Sequence, residues 1–254
     1  FRSSNIVNGY PVCVMDGTLC SNMRVAAMGA TAAEHLARKD AESIGFIGAG
    51  EQAKMHLLGM KSVRPGLKVC RVASKYAEEE KDFIASLSLL LPDMEFVACN
   101  TVLEDAIRGS DIIVTATSAQ APLLKASWIK KGAFYSHIGG WEDEFAVVKM
   151  ADKIVCDDWA TVKHRTQTVS RCYKAGEISD VDIHANIADI VLGKKAARER
   201  DDEFIYFNAV GLAYVDVSIA HAMFKLAETQ NSGRILDLQN TMIFDKNLKG
   251  KIRL

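Results

Sequence analysis

The sequence predicts an α/β fold: a doubly wound parallel sheet accompanied by an incomplete second, smaller domain. Three observations carry this. From about Ser43 to Asp157 short apolar stretches alternate with helical ones, the order that builds a parallel sheet covered on both faces. The first of these stretches runs into Gly48-Ala49-Gly50-Glu51-Gln52-Ala53, a glycine-rich turn that opens an amphipathic helix. The 254 residues are 49% hydrophobic and 7% aromatic, enough apolar side chain to exclude a disordered chain and to fill one large core or two modest ones.

Taken in order, Tyr10–Met15 has the texture of a strand, Asp16-Gly17 reads as a turn, and an alanine-rich helix follows, including Thr31–Arg38. The strands of the sheet are read as Ser43–Ile47, Leu67–Val72, Met94–Ala98, Asp111–Thr115, Ala133–Ile138 and Lys153–Cys156, with helices after the first three. The second of these helices, Tyr76 to about Leu91, opens with Glu78-Glu79-Glu80, which suits the positive end of a helix dipole and is accounted for by a solvated face. Beyond Asp157 helices are expected over Thr161–Ala175 and Asp182–Leu192, then a strand Glu203–Asn208 and a long helix Leu212–Gln230. The chain thus divides into residues 1–38, part of a second domain; 39–210, the sheet domain; and 211–254, a return helix and tail on the first part. The two helices Thr31–Arg38 and Leu212–Gln230 are expected to be neighbours. Because the chain opens on Phe1 in what reads as the middle of an element, a preceding stretch is expected to be missing.

The charge count, 31 basic against 32 acidic residues, gives a net charge of -1 and points to a small-molecule protein, with no nucleic-acid or membrane partner. No window approaches the roughly 18 apolar residues of a spanning helix, and the opening FRSSNIVNGYP lacks the apolar stretch of a secretion signal. The six cysteines are scattered, with no CxxC and no Cys/His cluster at zinc spacing, so reduced thiols, a cytoplasmic location and no metal site are expected.

The glycine turn carries the most specific chemistry. In GxGxxA after a strand, Gly48 permits the tight turn, Gly50 lets a pyrophosphate approach the backbone, and Ala53 allows close packing of helix on strand; Ala49, Glu51 and Gln52 complete the loop at the helix start. This is a dinucleotide site. Roughly twenty residues on, NAD-preferring domains carry an acidic residue for the ribose 2′-hydroxyl. Here Arg71-Val72-Ala73-Ser74-Lys75 offers a hydroxyl and cations instead, so the cofactor is NADP or NAD, with NADP favoured. Arg24, in the small and apolar Met23–Ala30 stretch, needs a partner, either a structural carboxylate or the carboxylate of a substrate.

Across nearly its whole length the chain resembles the ornithine cyclodeaminase/mu-crystallin family. The resemblance lies in Met23-Arg24-Val-Ala-Ala, the GxGxxA unit, Asp111–Ser118 with Pro122, His137-Ile-Gly139-Gly140, Ala151–Asp157, Ala175-Gly176-Glu177 and Phe207–Asp216. It implies a nicotinamide-dependent fold whose second domain dimerises, and an oxidoreductase acting on the C–N bond of an amino or imino acid. A cyclodeaminase-like lyase and a crystallin-like binding protein are the family's other kinds. It further implies that Arg24 clamps the substrate carboxylate, that Thr117 and Ser118 lie beside the cofactor, and that Asn208, Val210 and Gly211 approach the nicotinamide. The six histidines offer no triad and none is taken as a site residue; His137 alone ends a strand near the cofactor face. Two departures stand out. Where cyclodeaminase-like members carry an Asp after the Gly-Gly pair this chain has Trp141, followed by Glu142-Asp143-Glu144; either a carboxylate of this run, Asp143 before Glu142, serves as acid/base at the substrate amine or the run is a solvated loop, and Trp141 is an alternative contact that stacks on the substrate. The family's active-site lysine belongs to a region that precedes this chain.

Overall fold

The structure, a computed structural model, describes residues 2–236. It opens with an antiparallel pair, β1 (Arg2–Ser4) and β2 (Pro11–Val14), and the helix α1 (Gly17–Leu36). Asp16 starts that helix by accepting from Thr18 N and Leu19 N at 2.7 and 3.1 Å, the N-cap role its short carboxylate suits. There follow β3 (Ser43–Ile47), α2 (Glu51–Val63), β4 (Val69–Ala73), α3 (Ala77–Leu87), β5 (Glu95–Ala98), α4 (Leu103–Ile107) and β6 (Ile112–Thr115). The chain continues through β7 (Gln120–Leu124), β8 (Phe134–His137), β9 (Trp141–Asp143), α5 (Phe145–Lys149), β10 (Lys153–Cys156), α6 (Trp159–Val162) and α7 (Thr168–Lys174). Last come β11 (Ile183–Asn186), α8 (Ile187–Val191), β12 (Ile205–Asn208) and α9 (Ala213–Thr229).

Eight strands form one wholly parallel sheet in the order β11-β10-β12-β8-β6-β3-β4-β5. Alternation along each strand divides the apolar side chains between two cores. Ile44, Phe46, Ile112, Val114, Phe134 and Phe207 face α1, α2, α3 and α8; Ile113, Tyr135, Ile154 and Tyr206 face α4, α5 and α7. The strand order reverses between β3 and β6, whose carboxyl ends carry Gly48 and Thr117, and a crevice at such a reversal is where a doubly wound sheet binds its ligand. Helix α9 returns to α1, and the bonds between them lie in the first half of α1, ahead of the Thr31–Arg38 stretch named from sequence: Cys20 Sγ lies 3.6 Å from Asp216 O and Arg24 is paired to Asp216.

Three elements differ from the sequence reading. The helix expected over 161–175 breaks into α6 and α7, because Gln167 is drawn out to β12: its Nε2 donates to Ala209 O at 2.9 Å and its Oε1 accepts from Asn208 Nδ2 at 3.2 Å. The helix expected over 182–192 contains a strand, β11, which covers the open edge of β10, leaving only α8 helical. The acidic stretch after the Gly-Gly pair is the strand β9, paired in parallel with β7 at Gln120↔Trp141 and Leu124↔Asp143. Part of the tail assigned to 211–254 lies outside the described residues.

Candidate active site

The glycine turn has the geometry a dinucleotide requires. Gly48 sits at φ 101°, and a Cβ there would meet Ala116 O at 2.5 Å, so both its handedness and the close approach of the β6 loop demand glycine. Above Gly50 a Cβ would find nothing within 4 Å, so the approach to its backbone is open. No side chain caps α2, so its first amides face that opening without a side-chain partner. Ala53 is fully buried; Glu51 is turned aside to Lys54 at 2.9 Å; Gln52 Oε1 is buried with no partner. These features fit a pyrophosphate on the start of α2.

At the end of β4 the geometry corrects the sequence reading. Glu80, taken there for part of a solvated face, is fully buried and accepts from Ser74 N, Asn100 N and Thr101 N at 3.0, 2.8 and 2.7 Å. It thereby ties together the loops after β4 and β5, where Asn100 and Thr101 hold positive φ. The Ser74 hydroxyl donates to Glu79, an exposed carboxylate, and Lys75 lies 5.1 Å from the centre of the Tyr76 ring. Arg71 Nη1 is buried in the sheet face. The pocket read from sequence as a hydroxyl with cations therefore contains a carboxylate.

Across the switch point, Glu142 holds two loops at once. It is fully buried; Oε1 accepts from Thr117 N at 2.6 Å and Thr117 Oγ1 at 2.7 Å, and Oε2 from Thr115 Oγ1 at 2.8 Å and Gly139 N at 2.7 Å. With both oxygens doubly engaged, this carboxylate has no capacity left for a substrate proton. Asp143 is likewise fully buried, with the Tyr135 and Tyr206 hydroxyls at 3.4 and 3.3 Å and His137 Nε2 at 3.4 Å. Burial pushes its carboxyl up to about 6, and the neighbouring His137 opposes that rise. Neither residue lies on an open loop, which revises the expectation of an acid/base pair at the substrate amine. Trp141 is half-buried, with the Arg171 guanidinium 4.7 Å from its ring centre.

The ends of β8 and β12 frame a cavity of about 270 Å³ lined by Gly139, Gly140, Arg165, Thr166, Gln167 and Val210. The Val210-Gly211 turn on its rim is fixed by Asp157, whose Oδ2 accepts from both amides at 2.8 and 2.7 Å. Burial raises the Asp157 carboxyl above its ordinary value, against these backbone bonds. Sequence reasoning quoted Asp157 only as part of a motif; its place at the end of a strand was the available signal. On the other side of the turn lies Arg24, lining a second space with Val25, Met28, Ala209 and Gly211. Gly211 holds φ 97°, and a Cβ there would meet Arg24 Nη1 at 2.3 Å, so the guanidinium packs directly on the turn. Arg24 Nε donates to Asp216 at 3.0 Å, a partner that sequence reasoning did not name, and both Nη groups have no hydrogen-bond partner among the described residues. Asn208 is fully buried, with Oδ1 unpartnered, while Ser118 is exposed.

A sequence model of the ornithine cyclodeaminase/mu-crystallin family matches residues 3–231. N-((2S)-2-amino-2-carboxyethyl)-L-glutamate dehydrogenase of Staphylococcus aureus is 31% identical over 229 residues, covering 90% of this chain and 68% of the relative. Among solved structures, the Thermococcus litoralis Delta(1)-pyrroline-2-carboxylate reductase in complex with NADH and L-proline superposes with a TM-score of 0.88 at 30% identity, over 92% of this chain and 73% of that one. An archaeal alanine dehydrogenase dimer with bound NAD superposes with a TM-score of 0.84 at 30% identity, over 93% of this chain and 73% of that one.

Proposed function

The chain belongs to the ornithine cyclodeaminase/mu-crystallin family, and from that membership and the geometry of its site we propose that it is an NAD(P)-dependent oxidoreductase acting on the C–N bond of an amino or imino acid. The named activities of the relatives, an N-((2S)-2-amino-2-carboxyethyl)-L-glutamate dehydrogenase, a Delta(1)-pyrroline-2-carboxylate reductase and an alanine dehydrogenase, support this class. The observation that carries it is the setting of Arg24: a guanidinium packed on the Gly211 turn, held through Nε and free at both Nη groups, on the same sheet edge as the glycine turn.

A nicotinamide dinucleotide bound along that edge would supply the hydride chemistry. Arg24 takes the substrate carboxylate in its planar fork, while Asp216 fixes the rotation of that fork. Gly48, Gly50 and the first amides of α2 take the pyrophosphate; Thr117, Asn208, Val210 and Gly211 flank the nicotinamide. Glu142 and Asp157 are positioning residues, the first holding the Thr117 and Gly139 loops and the second the Val210-Gly211 turn. Such prepaid orientation is worth several kcal/mol in a bimolecular transfer.

For the finer choice of cofactor we infer NAD(H), contrary to the lean of the sequence toward NADP. Glu79 on the Ser74 hydroxyl supplies the carboxylate that β4 lacks, and a 2′-phosphate brought there meets it at close range. The bound NADH and NAD of the two structural neighbours agree with this. The assembly we infer is a homodimer, on the apolar side chains that α9 and β2 leave exposed: Tyr214, Val217, Leu226 and Val14. Among the described residues, 39–210 are read as the nucleotide domain, with 2–38 and 211–236 belonging to a second one.

The reading is tested by offering the protein NADH with Δ1-pyrroline-2-carboxylate, or with 2-oxo acids and ammonia, and in parallel ornithine with catalytic NAD. Net NADH consumption with an imine is expected. Ammonia and proline from ornithine, with no net change in nicotinamide absorbance, would assign the protein to the cyclodeaminase kind instead.

A further inference from the structure

Arg165 lines the cavity at the β8 and β12 ends, and the reaction assigned above gives it no task. Its backbone is rigidly held. Arg165 N donates to Val162 O at 2.9 Å, Lys174 Nζ donates to Arg165 O at 2.6 Å, and two residues on the Gln167 amide is tied to Ala209 and Asn208. The side chain on this fixed backbone is exposed and makes no hydrogen bond or ion pair among the described residues. The other cations of the site differ. Arg24 Nε is taken by Asp216; Arg171 Nε donates to Thr166 O at 2.7 Å while its guanidinium covers Trp141.

The surroundings favour an anion. No residue lining the cavity is a carboxylate. The acidic groups nearest in sequence are already engaged: Glu142 by four donors, Asp157 by three backbone amides, Asp158 by Thr161, and Asp143 is buried with its carboxyl pushed toward the neutral form. Trp141, beside the Gly139-Gly140 lining, brings no charge. A free guanidinium on a preorganised backbone, at the rim of a polar cavity without carboxylates, is suited to bidentate capture of a carboxylate.

We propose that Arg165 binds a second carboxylate of the substrate, so that the enzyme acts on acidic amino or imino acids, with Arg24 on the α-carboxylate and Arg165 on the acidic side chain. This rests on the oxidoreductase reading above. A substrate with an aliphatic side chain would leave Arg165 without a partner.

The experiment is calorimetric titration of the NAD-saturated protein with succinate and with butyrate, acids of equal length that differ by one carboxylate, for the wild type and Arg165→Gln. A melting curve checks that the variant is folded. Succinate is expected to bind the wild type on the order of ten- to a hundredfold tighter than butyrate, and Arg165→Gln to abolish that difference. Equal binding of the two acids by the wild type overturns the proposal while leaving the general reading intact. Succinate preference that survives in Arg165→Gln overturns the assignment to Arg165. If NAD binds and neither acid does, the carboxylate clamp itself fails, and the oxidoreductase reading with it.

Discussion

Glu142 stands on a strand of three residues, yet its carboxylate joins the ends of β6 and β8. In Glu142→Gln one oxygen becomes a donor aimed at donors, and the fold should lose about 3 kcal/mol. Urea denaturation should register this loss together with weaker NADH binding, and the pH profile of kcat should keep its shape. Unchanged stability with a collapsed kcat would return Glu142 to the role of acid/base. The sequence pointed to this neighbourhood through the run after Gly139-Gly140, and to the wrong task. A local acidic run looks the same whether it is solvated or buried, and only the pairing of β9 with β7, a contact between distant residues, turns Glu142 inward. Arg24 was legible because a cation among Ala, Gly and Met needs a partner; that Asp216 would meet its Nε required the return of α9.

At the scale of the element, the turn from β4 into α3 decides the cofactor. Glu79→Ala removes the carboxylate beside Ser74, and its NADPH affinity should rise on the order of tenfold relative to NADH, measured by fluorescence titration. A ratio that does not move would leave Ser74 and Lys75 as the determinants. The packing of α1 on α2 makes a different prediction. His56 is fully buried against Gly29, with Nδ1 bonded to Gln52 O, and burial pushes its pKa down to about 4 from the ordinary 6.5. Between those values the unfolded chain binds more protons than the folded one, so the stability that His56 confers falls as the pH drops through 6.5 and is fully lost below about 4. The stability difference between wild type and His56→Gln should therefore shrink by about 3 kcal/mol from pH 7 to pH 4; a constant difference would contradict the burial argument. Seven of the eight strands of the sheet were legible to within about two residues because buried parallel strands are short, apolar and bounded by polar turns. The stretches 161–175 and 182–192 were not, because Gln167 and the open edge of β10 impose long-range bonds that override a helical local pattern.

At the scale of the whole molecule, a parallel sheet whose strand order reverses at β3 and β6 brings the glycine turn, the Thr117 loop and the Val210-Gly211 turn to one edge, and the return of α9 adds Arg24. That convergence was legible as a fold class; the placing of Asp157 and Arg165 was not, since Asp157 holds amides more than fifty residues away and the Arg165 side chain has no partner among the described residues. The exposed apolar side chains of α9 and β2 predict that light scattering after gel filtration finds a dimer, with Val217→Asp shifting it toward monomer. A monomeric wild type would remove that inference without touching the chemistry. The chemistry is tested most directly by reduction of an imino acid with NADH deuterated at the nicotinamide C4, followed by mass spectrometry of the product. The account predicts one deuterium at Cα and stoichiometric loss of NADH. A product without deuterium from either C4 face, or no product from a protein that binds both NADH and the imine, would contradict it.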